Sequence, residues 1–473
     1  MKVIGRKEEI AQIQSYLESN QPEFIAVYGR RRVGKTFLIS NVIGNGFAFD
    51  VTGDLNGKKK EHLFYFCEAL RKYGYKFPNG KPKDWLAAFA ALEELLGSKP
   101  PEKRQIVFID ELPCFDTKNS GFLGALQHFW NSWASRRPGF KFIVCGSATS
   151  WMVDNIVDNK GGLHNRLTHA IHLSPFSLRV VEEYLKYKKF VWTRQDVLQV
   201  YMALGGIPYY LNLLKANESV AQNISRLCFD ASQEGLVGEY ARLYKSLFRK
   251  SEPYMKIVKL LAGVREGLTR TEIAEKMKLS SGKNLTEMLR NLVNCDFIRL
   301  YNVRTKKRLT TSGIYQLTDF FSIFYHSFMQ RGVTDPKYWL SLLGTHAYTT
   351  WQGLSFERVC MAHIPQIKKC LKIEGVYTEY YSWRSNGEEK AQVDLVIERA
   401  DRMINICEIK YSADYYSMTK AEYEKFQRRI SLFREETGCK LGILPTLVTT
   451  KPSEKNKYNA AMPVVITLDD LFE

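Results

Sequence analysis

Residues Gly29-Arg30-Arg31-Arg32-Val33-Gly34-Lys35-Thr36 have the composition and spacing of a loop that holds phosphate. Glycines let successive backbone N–H groups close around phosphate oxygens. A helix that starts at the lysine points its positive end at the same anion. Lys35 can then reach the β- and γ-phosphates, and the Thr36 hydroxyl can face Mg²⁺. Gly29, Arg30, Arg31, Arg32, Val33, Gly34, Lys35, Thr36 and Phe37 are therefore the expected nucleotide-binding residues, with ATP and Mg²⁺ as the ligands.

Two further places carry chemistry-bearing acids. Ile106-Val107-Phe108-Ile109 is followed by Asp110-Glu111, acids at the end of an apolar strand. Ligands of open α/β sheets lie outside such strand ends. Asp110 is expected in the Mg²⁺ shell with Thr36, and Glu111 as the base that orients and deprotonates water. Lys141 to Gly146 reads as a third strand, after which Ser147 is placed to touch the γ-phosphate or the water. Near the C-terminus, Gln392–Ile397 and Ile404–Lys410 read as paired strands. A hairpin centred on Asp401 sets Asp394 opposite Glu408, and the period of two puts Glu408 and Lys410 on one face. Asp394 and Glu408 can hold Mg²⁺ through carboxylate oxygens, and Lys410 can stabilise developing charge.

Particular elements must position these groups. Phe24–Tyr28 is a short run of β-branched and aromatic residues, a buried strand that feeds the loop directly. Ile10–Leu17 reads as a leading helix, and residues 176–250 read as helical throughout. Residues 253–303 read as three helices and a hairpin: Tyr254–Leu261, Thr271–Met277 with a capping-type pair Thr269/Thr271, and Asn284–Cys295. The strands Phe297–Leu300 and Ile314–Leu317 flank a basic tip, Arg304-Thr305-Lys306-Lys307-Arg308.

Together Ile4-Gly5-Arg6-Lys7-Glu8, the loop at residues 28–36, Phe108–Glu111, Gly146-Ser147 and Gly205-Gly206-Ile207-Pro208-Tyr209 resemble the archaeal-type branch of the AAA+ and STAND-related ATPases. The resemblance covers about the first 250 residues. It implies that Val3 and Ile4 lie at the adenine, and that Arg166 is a finger arginine, within Gly162-Leu163-His164-Asn165-Arg166. Residues 253–317 resemble a winged helix-turn-helix, which implies Lys283, Asn284, Arg290 and Asn291 along a DNA-facing helix and the basic tip as a wing on phosphate. Val393-Asp394 with Glu408-Ile409-Lys410 resembles a PD-(D/E)XK nuclease core, with Val393 where the motif's proline would stand. The segment Trp351–Arg358 is similar to that core's first helix and implies Glu357 as a third acid.

The resulting expectation is an α/β chain: a P-loop NTPase (AAA+-like) core at residues 1–175, a helical lid at 176–250, a winged helix-turn-helix at 251–335 and a PD-(D/E)XK nuclease-like domain at 336–473. Hydrophobic residues at 45% suffice for such cores. The net charge of +18 favours DNA as a partner, through Lys and Arg contacts to phosphate. No apolar run approaches the length of a membrane span, and the charged Met1–Ile10 lacks a signal peptide's apolar segment, so a cytoplasmic protein is expected. Nine scattered cysteines, none at C-x-x-C spacing, signal neither a zinc site nor a redox pair. An arginine acting across subunits leaves a homo-oligomer open. Two functions remain in view: an ATP-driven, DNA-associated machine whose C-terminal domain binds or cuts DNA, and a STAND-type switch whose C-terminal domain binds without cutting.

Overall fold

The computed structural model describes residues 2–78, 80–99, 104–147, 149–158, 162–163, 165–231, 235–248, 250–278, 282–302, 313–385, 387–454 and 456–473. The basic tip at 304–308 and His164 therefore lie outside the described residues. The chain divides into two compact units, residues 1–174 with 245–249, and residues 175–244 with 250–473.

The first unit is a parallel sheet with helices. In chain order it contains α1 (Lys7–Glu18), β1 (Glu23–Tyr28), α2 (Lys35–Ile43), β2 (Phe47–Thr52), α3 (Lys59–Lys72), α4 (Trp85–Gly97), β3 (Gln105–Asp110), α5 (Phe122–Ser132), β4 (Phe140–Gly146), α6 (Thr149–Met152) and β5 (His169–His172). The strand order is β2-β3-β4-β1-β5. Strands β1, β3 and β4 are apolar almost throughout because both faces of a parallel sheet are covered. The register pairs Tyr28 with Gly146 and Ile109 with Val144, so β1, β3 and β4 end at one edge. The residues that follow them, Gly29, Glu111 and Ser147, are thereby delivered to one place. Phe66, Trp85, Phe89, Phe115, Phe122 and Phe129 fill the core beside this sheet.

The second unit opens with helices α7 (Leu178–Tyr187), α8 (Arg194–Leu204), α9 (Pro208–Asn212), α10 (Val220–Phe229) and the first part of α11 (Glu239–Leu247), whose residues 245–247 are counted with the first unit. The Gly205-Gly206-Ile207-Pro208-Tyr209 segment is explained here. A Cβ on Gly206 would stand 1.9 Å from the Phe176 carbonyl oxygen, and Phe176 N–H donates to the Gly206 carbonyl at 2.7 Å. Only glycine permits that approach.

Next come α12 (Ser251–Ala262), β6 (Leu268–Thr269), α13 (Arg270–Lys276), α14 (Lys283–Asn294), β7 (Ile298–Tyr301) and β8 (Ile314–Leu317). The sheet has three strands, β6-β8-β7, where the sequence suggests two. Thr269 does cap α13, but its reciprocal partner is Glu272, not Thr271. A capping box needs a carboxylate three positions on, long enough to reach back to the cap N–H. On α14, Leu285, Met288, Leu289 and Leu292 form the buried stripe, while Lys283, Asn284 and Arg290 are exposed. Asn291 instead turns inward and donates to the Tyr254 hydroxyl at 2.9 Å.

The remainder is α15 (Phe320–Phe324), α16 (Pro336–Leu342), α17 (His346–Ala362), α18 (Ile364–Cys370), β9 (Thr378–Arg384), β10 (Gln392–Arg399), β11 (Met403–Lys410), α19 (Lys420–Thr437), β12 (Gly442–Thr449) and β13 (Val464–Thr467). Its sheet runs β13-β12-β11-β10-β9. β9, β10 and β11 are antiparallel neighbours, and β12 joins β11 in parallel after the α19 crossover.

Candidate functional sites

In the first unit the loop from Gly29 to Gly34 is shaped by its glycines. A Cβ on Gly29 would meet the Leu173 carbonyl oxygen at 2.4 Å. Gly34 has φ +91°, and a Cβ there would enter open space, leaving the cradle side clear. Lys35 is buried, and its Nζ donates to the Gly29 and Arg30 carbonyls at 3.0 and 3.1 Å. The amine is thus folded back over the loop that would hold phosphate.

Thr36 Oγ1 donates to Asp110 Oδ2 at 2.7 Å, which joins the start of α2 to the end of β3. Burial pushes the Asp110 carboxyl above its usual range, and the Thr36 hydrogen bond opposes that shift. Glu111 N–H donates to Asp110 Oδ1 at 3.0 Å. Glu111 Oε2 accepts from both the Ser147 N–H at 3.1 Å and the Ser147 hydroxyl at 2.8 Å. Thr36, Asp110, Glu111 and Ser147 are therefore joined by hydrogen bonds, with Lys35 next to Thr36 at the start of α2. A hydroxyl and a carboxylate oxygen side by side are hard oxygen donors that suit Mg²⁺.

Arg166 is exposed, in a turn where its N–H donates to the Leu163 carbonyl, and stands outside that network. Arg6, given no role by the sequence reading, is buried. Its guanidinium donates to the Val33 carbonyl at 3.4 Å, the Ser174 carbonyl at 2.7 Å and Glu9 at 3.0 Å. It braces the phosphate loop from behind. Its one sequence signal is an arginine just after the Gly5 turn.

The second unit holds the other acids. β10 and β11 pair with Leu395 opposite Cys407 and Glu398 opposite Ile404, and the same register carried one step sets Asp394 across from Glu408. Lys410 Nζ lies 3.0 Å from Glu408 Oε1. Glu357, from α17, joins them. All three acids line a cleft of about 850 Å³ whose walls also carry Arg384, Lys390, Lys410, Lys425 and Arg429.

Each acid already has a cationic partner. Arg265 Nε donates to Glu357 Oε2 at 2.6 Å, and its Nη2 donates to Glu357 Oε1 and, at 2.5 Å, to Asp394 Oδ1. Asp394 Oδ2 accepts the Ile409 N–H at 3.4 Å. Arg429 Nη1 donates to Glu408 Oε2 at 2.5 Å. Burial pushes the Glu357 and Asp394 carboxyls up, and the Arg265 guanidinium opposes this at both. Among the described residues no group of three or more His, Cys, Asp or Glu is arranged to hold a metal ion. In this arrangement the oxygens that Asp394 and Glu408 would offer a divalent cation are engaged by Arg265 and Arg429. Arg265 and Arg429 were not foreseen, because nothing local to either residue marks a partner so far along the chain.

Residues 4–214 match the family described as an ATPase domain predominantly from Archaea. Over those residues the chain is similar to that archaeal-type ATPase domain. An uncharacterized protein of Methanocaldococcus jannaschii is 25% identical over 427 residues, which cover 86% of this chain and 87% of that protein. Among solved structures, a Walker-type ATPase of Pyrococcus abyssi is similar at TM-score 0.47 and 19% identity, covering 68% of this chain and 96% of that one. The Aeropyrum pernix ORC2 protein is similar at TM-score 0.43 and 12% identity, covering 70% and 95%. The ATPase-domain match begins just before Arg6 and ends after the Gly205–Tyr209 segment, so it takes in every member of the nucleotide cluster.

Proposed function

We propose that the chain is a Mg-ATP-hydrolysing ATPase associated with DNA, with a nuclease-like C-terminal domain that engages the nucleic acid. The carrying observation is the cluster of Lys35, Thr36, Asp110, Glu111 and Ser147 at one sheet edge. Lys35 and the backbone of residues 29–36 bind the phosphates. Thr36 and Asp110 hold Mg²⁺, which when bound neutralises charge building on the phosphate oxygens. Glu111 orients water and takes its proton. Ser147 fixes the Glu111 carboxylate through two hydrogen bonds, a positioning role that replaces direct contact with phosphate. Arg166 carries the finger role by resemblance, and its exposure suits action on a second copy's nucleotide.

DNA association rests on the net charge of +18, the exposed Lys283, Asn284 and Arg290 on α14, and the cation-rimmed cleft over the C-terminal acids. The order α17, three antiparallel strands, α19 and a parallel strand, with acids on α17, β10 and β11, supports the nuclease-like reading. Nine free thiols suit a reducing, cytoplasmic compartment. The engagement of Glu357 and Asp394 by Arg265 favours a second reading, a STAND-type switch whose C-terminal domain binds without cutting.

Phosphate release by wild type and Glu111→Gln, with and without duplex DNA, tests this. The glutamine keeps an oxygen for the Ser147 donors but cannot take a proton, so turnover should fall by ~10²-fold or more while ATP stays bound. Normal turnover in that variant removes Glu111 from the chemistry. Turnover indifferent to DNA favours the switch.

A further inference from the structure

The Arg265-Glu266 dipeptide sits between α12 and β6 and is held in place from several sides. Gln316 Nε2 donates to the Arg265 carbonyl at 2.7 Å, and the Tyr301 hydroxyl donates to the Glu266 carbonyl. Arg384 of β9 reaches back to Glu266 at 3.5 Å and to Glu272 of α13 at 2.9 Å. A reciprocal pair of ionic contacts thus joins this segment to the β9–β10–β11 sheet. Arg265 extends from the segment to Glu357 and Asp394, and Arg384 extends from the sheet to Glu266 and Glu272. The Arg265 side chain is only about one-third exposed, while those of Glu357 and Asp394 are 15% and 7% exposed.

Two carboxylates this close in a partly buried cleft need positive charge between them. A divalent cation supplies it through oxygen ligation. A guanidinium supplies it through a planar fork that takes one carboxylate with two donors and shares a third with its neighbour. The two solutions are mutually exclusive at the same oxygens. Arg265 uses both oxygens of Glu357 and one of Asp394.

We propose that Arg265 is a tethered cation that keeps the Glu357–Asp394–Glu408 cleft latent, and that a divalent cation enters only when Arg265 leaves. This regulation rests on the reading of those three acids as a nuclease-like centre. The tether gives the device its direction. Arg265 belongs to the α12–β6 link of the module that presents α14, so displacing that link would withdraw the guanidinium from Glu357 and Asp394. The Gly267 φ of +83° and Gly263 at the end of α12 place turn residues on either side of the dipeptide.

The test uses the nucleotide-free full chain titrated with Mn²⁺ alone, followed by calorimetry and by the loss of free-Mn²⁺ paramagnetic resonance. Wild type should bind weakly. Arg265→Ala should gain one site at least ten-fold tighter, and Arg265→Ala/Asp394→Asn should lose it. Should the alanine variant fold poorly, Arg265→Gln keeps a hydrogen-bonding side chain without the charge and should show the same gain. Thermal unfolding adds a second readout, in which Mn²⁺ raises the Tm of either Arg265 variant more than that of wild type. If wild type already binds Mn²⁺ tightly, dependent on Asp394, and neither Arg265 variant improves on it, the acidic centre stands and the latch is overturned. If no variant binds Mn²⁺ while circular dichroism shows them folded, the centre and the latch both fall.

Discussion

Lys35 does two jobs: it bonds the Gly29 and Arg30 carbonyls of the loop and keeps an ammonium at the cradle. Lys35→Ala should weaken ATP binding by roughly 10- to 150-fold, the worth of a charge-assisted hydrogen bond. Calorimetry that finds affinity unchanged would end the phosphate-loop assignment. Asp394 shows how a contact alters an expectation. From repulsion between like charges alone, its removal should be free of cost to folding. With Arg265 and the Ile409 N–H both bound to it, Asp394→Ala should instead cost roughly 1–3 kcal/mol, limited because Arg265 keeps its fork on Glu357. Denaturant unfolding of the variant gives the figure, and a stability equal to wild type would show that the pairing contributes nothing.

At the scale of elements, the start of α7 has an unusual cap. Its N-cap residue, Ser177, makes no side-chain capping bond, yet the Leu178 N–H finds an acceptor in His363 Nε2 at 3.0 Å. The ring's other nitrogen lies 2.8 Å from the Val359 carbonyl, so Nδ1 carries the proton and the imidazole is neutral. Burial holds His363 down at about 4 against an ordinary 6.5. The unfolded chain therefore binds this proton more readily between those values, and stability rises with pH across that window. The contribution is complete above about 6.5 and is lost as pH falls toward 4, a change of roughly 3 kcal/mol. Denaturant midpoints measured at pH 7, 5.5 and 4.5 should decline in wild type, and His363→Gln should flatten the decline. An equal slope in both proteins would assign the acid sensitivity to other groups.

For the whole molecule, the controlling quantity is charge. With a net charge of +18, DNA affinity should fall steeply as salt rises. Reversing Lys306, Lys307 and Arg308 should lower the salt slope by about three while ATP affinity stays constant. A slope that does not change in a filter-binding titration would exclude that tip as a phosphate contact. Among the described residues no helix is long and apolar enough to cross a membrane. The ATPase cluster lies in one compact unit and the carboxylate cleft in the other, so Asp394→Ala should leave phosphate release at the wild-type rate.

The phosphate loop was legible residue by residue, since strand, loop and helix are contiguous between Glu23 and Ile43 and the chemistry depends on neighbours in sequence. The β10–β11 register was legible for a similar reason: a tight hairpin makes pairing a matter of counting, and Leu395 pairs with Cys407 in the register that was counted. Joining β1, β3 and β4 at one edge required only the alternation of apolar strands and helices. Other contacts depend on groups that no local pattern connects. Arg265 meets Glu357 and Asp394 across 92 and 129 residues, His363 caps α7 across 185, and Arg6 reaches Ser174 across 168. In sequence each of these is an ordinary polar residue with several plausible fates. Which fate it takes is set by desolvation: once packing brings a guanidinium and two carboxylates out of water together, pairing costs less than leaving any of them bare. The sequence by itself thus determined which residues can do chemistry, and tertiary structure decided that the C-terminal acids pair with Arg265 and Arg429.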